Sequence, residues 1–151
     1  MPSKVVFKEI AYESANWQAA VALREDVLRK PLGSKFTAEE LKAEEGEIQV
    51  AGFKDGTLIA CAVLVREEGQ LKMQRVAVLA SLRGQGIGAR MMIFCEEIAH
   101  KLGVLKIYCH ARNSAVDFYR QNQYLAQGDY FDEDGIPHLK MIKRLGHESD
   151  D

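Results

Sequence analysis

The chain has 151 residues, 47% of them hydrophobic and 28% charged, the balance of one globular domain and not of a disordered or fibrous chain. Twenty Lys and Arg against 22 Asp and Glu leave a net charge of -2, so no strong generic footprint for nucleic acid is present. The apolar run Ile59–Val65 falls far short of the roughly 20 residues a membrane helix needs, and Met-Pro-Ser-Lys opens without a charged-then-apolar leader.

Val5 to Ile10 is β-branched and aromatic and predicts a first strand. Ser14 caps a predicted helix to about Leu28, with Trp17, Val21, Val27 and Leu28 on one stripe and Arg24 among them. Thr37-Ala38-Glu39-Glu40 is a capping box opening a short second helix that ends near Gly46. Ile48–Phe53 turns at Asp55-Gly56 into Leu58–Val65, and Glu67-Glu68-Gly69 leads to a strand over about Leu71–Leu79. Ile87, Met91, Phe94, Ile98 and Leu102 recur at helical spacing up to Gly103. Val104–Cys109 reads as a short apolar strand, Asn113 as the cap of a last helix, and two strands flank Asp132-Glu133-Asp134-Gly135.

The predicted order is β-α-α-β-β-β-α-β-α-β-β, an α+β fold with a mixed sheet of about seven strands and helices on both faces. The unit from Leu71 to Cys109 implies a parallel crossover, and ligands favour the carboxyl ends of such strands. One domain is expected over residues 1–146, with 147–151 a frayed acidic tail. Cys61, Cys95 and Cys109 are odd in number and form no CxxC, so neither a disulfide framework nor a metal is expected, and the home is a reducing cytoplasm.

Arg83-Gly84-Gln85-Gly86-Ile87-Gly88 lies between a strand and an amphipathic helix. Its glycines let backbone N–H groups approach a ligand, and the helix start adds partial positive charge, so the turn can cradle phosphate. No Gly-Lys-Ser/Thr follows, which excludes a P-loop, and Gly-x-Gly-x-x-Gly does not occur in that order. A plain tight turn is the structural alternative.

With its flanking strand Val76-Ala77-Val78, this segment resembles the GNAT superfamily of acyl-CoA-dependent N-acetyltransferases, whose Arg/Gln-x-x-Gly-x-Gly/Ala is matched by Arg83, Gly86 and Gly88. Asn113 to Tyr119 looks like the family's Asn-x-x-Ala-x-x-Phe-Tyr helix, and Leu23-Arg24 with Asp134-Gly135-Ile136-Pro137-His138 resembles its small bacterial ElaA-type branch. The resemblance implies a GNAT fold, acetyl-CoA as co-substrate without a metal, and a small-molecule amine acceptor. It implies no nucleic acid or membrane partner, and leaves a homodimer open.

It assigns the cofactor to Val76, Ala77, Val78, Arg83, Gly84, Gln85, Gly86, Ile87, Gly88, Asn113 and Tyr119. Tyr119 is the candidate general acid for the leaving thiolate, with a core aromatic as the alternative. Arg24 either meets an internal carboxylate, Glu44 or Glu45, or binds a carboxylate or phosphate of the acceptor. His138 is the candidate relay for the amine proton or a structural histidine, and His110 and Arg112 lie near the expected acceptor cleft. One departure stands out: the family's Gly before an aromatic is Gln123 before Tyr124, so the left-handed helix exit is expected at Asn122. A non-catalytic acyl-CoA sensor of the same fold is the competing function.

Overall fold

A computed structural model describes residues 4–146; the expected tail 147–151 lies outside the described residues. Strands β1 (Val5–Ile10), β2 (Ile48–Lys54), β3 (Thr57–Glu67), β4 (Gln70–Val78), β5 (Lys106–Arg112), β6 (Leu125–Glu133) and β7 (Ile136–Arg144) form one sheet in the order β1-β2-β3-β4-β5-β7-β6. Each neighbouring pair is antiparallel except β4 and β5, which are parallel. Helices α1 (Ala15–Arg24), α2 (Ala38–Lys42), α3 (Ile87–Lys101) and α4 (Val116–Gln121) complete the expected element order.

Local chemistry accounts for most boundaries. Ser14 accepts the Trp17 N–H, and Thr37 and Glu40 close both halves of the capping box. Asp55 and Gly56, and likewise Asp134 and Gly135, hold positive φ in pairs, the backbone of a two-residue hairpin turn. Alternation along β3 separates two apolar layers. Ala60, Ala62 and Leu64 face the main core with Met91, Met92 and Cys95 of α3, whereas Cys61 packs with Ala20 and Leu23 of α1.

Four expectations need correction. The first helix does not run unbroken to Leu28: after Arg24 the chain winds as a π-helix over Glu25–Arg29 and as a 3-10 turn over Lys30–Leu32. Pro31 has no N–H to return to Val27, which favours this loosening. Asn113 does not cap α4; it opens a 3-10 turn through Ala115, and Ala115 precedes the helix without a side-chain cap. The fifth strand runs Lys106–Arg112 and not Val104–Cys109, because β7 pairs it to its end.

The left-handed exit of α4 falls on Gln123 itself, at φ 75°, while Asn122 stays at φ -100°. The Tyr124 N–H donates to Tyr119 O at 3.0 Å and the Gln123 N–H to Arg120 O at 3.1 Å. The Tyr119 and Tyr124 rings meet edge to face at 5.4 Å. This is a Schellman exit with its apolar contact, and it demands the left-handed residue one place later than Asn122. Replacing Gln123 by Gly should therefore raise stability by about 1 kcal/mol, a gain of a few degrees in Tm, readable in a melting curve.

Candidate active site

β4 and β5 pair only from Gln70–Met73 to Lys106–Cys109. Beyond that, β5 turns its partners over to β7, and β4 carries a bulge. Cys61 pairs with Ala77 and Val63 with Gln74, so Ala62 alone faces both Arg75 and Val76. Arg75 sits in the bulge at φ 53°. The β5 side of β4 from Gln74 to Val78 thus has no strand beside it, and the parallel pair opens into a cleft.

At the mouth of that cleft the glycine-rich turn leads into α3. Arg83, Gly84, Gln85 and Gly86 are exposed, and Gly86 precedes the helix with no side-chain cap. The first intrahelical return is the Arg90 N–H to Gly86 O, so the N–H groups of Ile87, Gly88 and Ala89 have no helical acceptor. The glycines serve different needs. Gly84 and Gly86 adopt φ 82° and 78° with open space where a Cβ would go, whereas a Cβ on Gly88 would lie 3.0 Å from the Phe118 ring. Free donors, a helix N-terminus and left-handed backbone fit a pyrophosphate. Gly86→Val should lower CoA affinity and also lower Tm through backbone strain at φ 78°, whereas Gly88→Val should lower Tm by pushing α3 off Phe118. Calorimetry and a melting curve on the two variants read the difference.

Tyr119, Cys95 and Cys109 line the α3–α4 side, and Cys61 lies on the α1 side. Tyr119 is buried, its hydroxyl bonded to the Cys109 thiol, and burial with the nearby Cys109 pushes its phenol well above the usual range. Burial likewise pushes the thiols of Cys61, Cys95 and Cys109 up to about 12, which leaves no thiolate nucleophile among them. Asn113 is exposed. Counting back from Ala115-x-x-Phe118-Tyr119, the first position of the Asn-x-x-Ala-x-x-Phe-Tyr pattern falls on Arg112, so Asn113 is one residue out of register.

The opposite face of the sheet carries the charged groups. Of the two roles open to Arg24, the structure shows the internal pair: Arg24 is 1% exposed and bonds Glu44, not Glu45. Glu44, 0% exposed, also accepts from Trp17 Nε1 and from Gln49 Nε2, each at 3.2 Å. Arg75 Nε lies 3.1 Å from the same carboxylate without hydrogen-bond alignment. Phe36 is the hub of this cluster, with the guanidinium carbons of Arg29, Arg75 and Arg24 at 4.1, 4.7 and 4.9 Å from its ring centroid. The sequence reading missed Phe36 and Arg75. An apolar residue just before a capping box, and an Arg in a half-buried strand, carry no local mark.

Arg29 forks onto Glu40 at 3.0 and 2.6 Å, and this bond holds the Glu40 carboxyl at about 2, below its ordinary 4.5. A depressed carboxyl contributes stability above its unfolded value and loses it as pH falls through the folded one. Wild type should therefore lose more stability than Glu40→Gln between about pH 4.5 and pH 2, as acid titration followed by circular dichroism would read.

Arg112 closes the picture at the end of β5, donating to Leu28 O at 2.7 Å in the π-helical segment. His138 pairs with it across β5 and β7 and is 5% exposed. His138 Nδ1 lies 2.8 Å from Ile136 O, an acceptor only, so Nδ1 carries the proton and Nε2 is the free nitrogen of the neutral ring. That Nε2 is 3.8 Å from Glu133 Oε2, while His110 Nδ1 is 3.2 Å from Glu133 Oε1. Arg24, His110, Arg112 and His138 thus occupy one face of the sheet, with Tyr119 on the other.

A parallel crossover whose first strand ends at a glycine-rich turn and a free helix N-terminus is the arrangement that the resemblance above implies for an acetyl-CoA-dependent transferase. The chain belongs to the GNAT acetyltransferase family: the model of the acetyltransferase (GNAT) domain matches residues 14–145. It is similar to the uncharacterized N-acetyltransferase YjcF of Bacillus subtilis, at 31% identity over 89% of this chain and 96% of that one. It is also similar to protein ElaA of Escherichia coli, at 27% identity over 64% of this chain and 65% of that one. In fold it matches an aminoglycoside 6'-N-acetyltransferase complexed with coenzyme A, with a TM-score of 0.80 at 15% identity over 96% of this chain and 99% of that one. Its class is therefore N-acetyltransferase.

Proposed function

We propose that the chain moves an acetyl group from acetyl-CoA to the primary amine of a small molecule in the cytoplasm, by direct attack within a ternary complex. The amine belongs to an amino sugar, an amino acid or a polyamine-like compound. The observation that carries this reading is the cleft between β4 and β5, which opens where the uncapped start of α3 and the unpaired edge of β4 meet.

Acetyl-CoA, when bound, supplies an activated thioester. The N–H groups from Gly84 to Gly88, with Arg83, hold the pyrophosphate, and the free edge of β4 at Val76, Ala77 and Val78 takes the pantetheine arm as an added strand. A β4 N–H directed at the thioester oxygen lowers the barrier as charge develops there. His138 accepts the amine proton at Nε2, the nitrogen its backbone bond leaves free. Tyr119 offers its hydroxyl to the departing sulfur from the opposite wall. The buried, protonated cysteines favour direct attack over an acyl-enzyme.

The test is release of CoA thiol from acetyl-CoA across a panel of amines, alongside calorimetry of CoA binding. Amine-dependent thiol release is expected. CoA binding with no release for any amine would leave the sensor reading in its place.

A further inference from the structure

The three arginines around Phe36 are not equivalent. Arg24 is spent on Glu44, and Arg29 is spent on Glu40 by both terminal nitrogens. Arg75 is the surplus cation: it leans its Nε toward Glu44 and stacks on Phe36, but its two terminal Nη groups have no hydrogen-bond partner among the described residues. Glu47 lies within electrostatic reach without bonding it, and burial together with Glu44 pushes the Glu47 carboxyl up toward its neutral form. The Arg75 side chain is 17% exposed, so it is held at its base and open at its tip.

Its position gives that tip a use. Pairing of β4 to β5 ends at Met73, so Arg75 stands two residues beyond the apex of the cleft, about 7 Å along the strand. Its contacts with Glu44 and Phe36 put it on the face of the sheet that also carries Arg112 and His138. A bulge at positive φ holds the Arg75 backbone, and a fully buried carboxylate and an aromatic ring hold its side chain. Across the cleft the β6–β7 hairpin brings Glu133 and Asp134 within electrostatic reach of Arg112, which places acid on one wall and a spare guanidinium on the other. Such a pair of walls suits a molecule with both an ammonium and an anion.

Resting on the transferase reading above, we infer that Arg75 anchors an anionic group of the acceptor, so that the acceptor is an amine carrying a carboxylate, of the α-amino acid kind. The open edge of a guanidinium matches a carboxylate in two parallel bonds, and its fixed mount makes that match selective.

The experiment pairs each acid with its decarboxylated amine: L-leucine with isoamylamine, L-phenylalanine with phenethylamine, L-lysine with cadaverine. Binding to the CoA-loaded protein is measured by calorimetry, and turnover with acetyl-CoA by thiol release. In wild type the acid of at least one pair should hold an advantage of about 10- to 100-fold in affinity. Arg75→Met should abolish that advantage while leaving the CoA affinity unchanged, and Arg75→Lys, which keeps the charge, should retain part of it. Met strains the bulge no more than Arg does, and the Lys variant covers a Met variant that fails to fold. Acids that bind with the advantage but release no thiol would support the anchor and overturn acetyl transfer. Amines acetylated with no advantage for the acids, no advantage in any pair, or an advantage that survives Arg75→Met, would overturn the anchor.

Discussion

Tyr119→Phe should lower kcat by about 10²–10⁴-fold while CoA affinity and Tm stay close to wild type. The ring packs edge to face on Phe118 and Tyr124, contacts that Phe keeps, and the hydroxyl meets the Cys109 thiol, a weak partner. What disappears is the hydroxyl that the proposed mechanism offers to the leaving thiolate. Because burial drives the Tyr119 phenol well above its usual 10, the group stays protonated, and so able to donate, throughout the neutral and moderately alkaline range. Tyr119 therefore contributes no basic limb to the pH–rate profile below about pH 10. A wild-type limb in that range that vanishes in Tyr119→Phe would contradict the burial argument, and a Tyr119→Phe enzyme as fast as wild type would make Tyr119 a core aromatic.

Glu44→Ala should destabilise the fold by about 3–5 kcal/mol, a fall of about 10 °C or more in Tm. The carboxylate is fully buried and faces Arg24, Arg75, Trp17 and Gln49, so its removal strands a buried guanidinium and two neutral donors at once. Arg24→Ala should cost less, since Glu44 keeps its other donors. The double variant should lie well short of the sum, because each single change leaves a charge that the other removes. Melting curves on the three variants read this coupling. Additive losses would mean that Arg24 and Glu44 do not act as a pair.

Features set by neighbours a few residues apart were legible in the chain: the two Asp-Gly hairpin turns, the Ser14 and Thr37 caps, the Gly103 stop, and the glycine-rich turn between strand and helix. Arg24 announced itself as a charge on an apolar stripe, and Glu44 stood among its named partners. What escaped depended on pairing between strands. The bulge at Arg75 exists because β3 spends one residue where β4 spends two, and no property of Gln74-Arg75-Val76 alone marks it. Phe36 gains its meaning from three guanidiniums contributed by α1, the π-helical turn and β4. Gln123 was passed over for Asn122 on residue preference, but the bond from Tyr124 back to Tyr119 decides which residue turns left-handed. Similarly, β7 extends β5 to Arg112 and so carries Asn113 out of the capping position.

Direct acetyl transfer in a ternary complex is tested most directly by incubating the protein with acetyl-CoA alone, reading its intact mass, and then adding an accepted amine. The protein mass should stay unchanged in the first step. In the second, thiol and N-acetyl amine should appear together in equal amounts, with intersecting lines when the two substrates are varied. A protein that gains an acetyl group in the absence of amine and passes it on when amine is added, with parallel lines, would contradict the account.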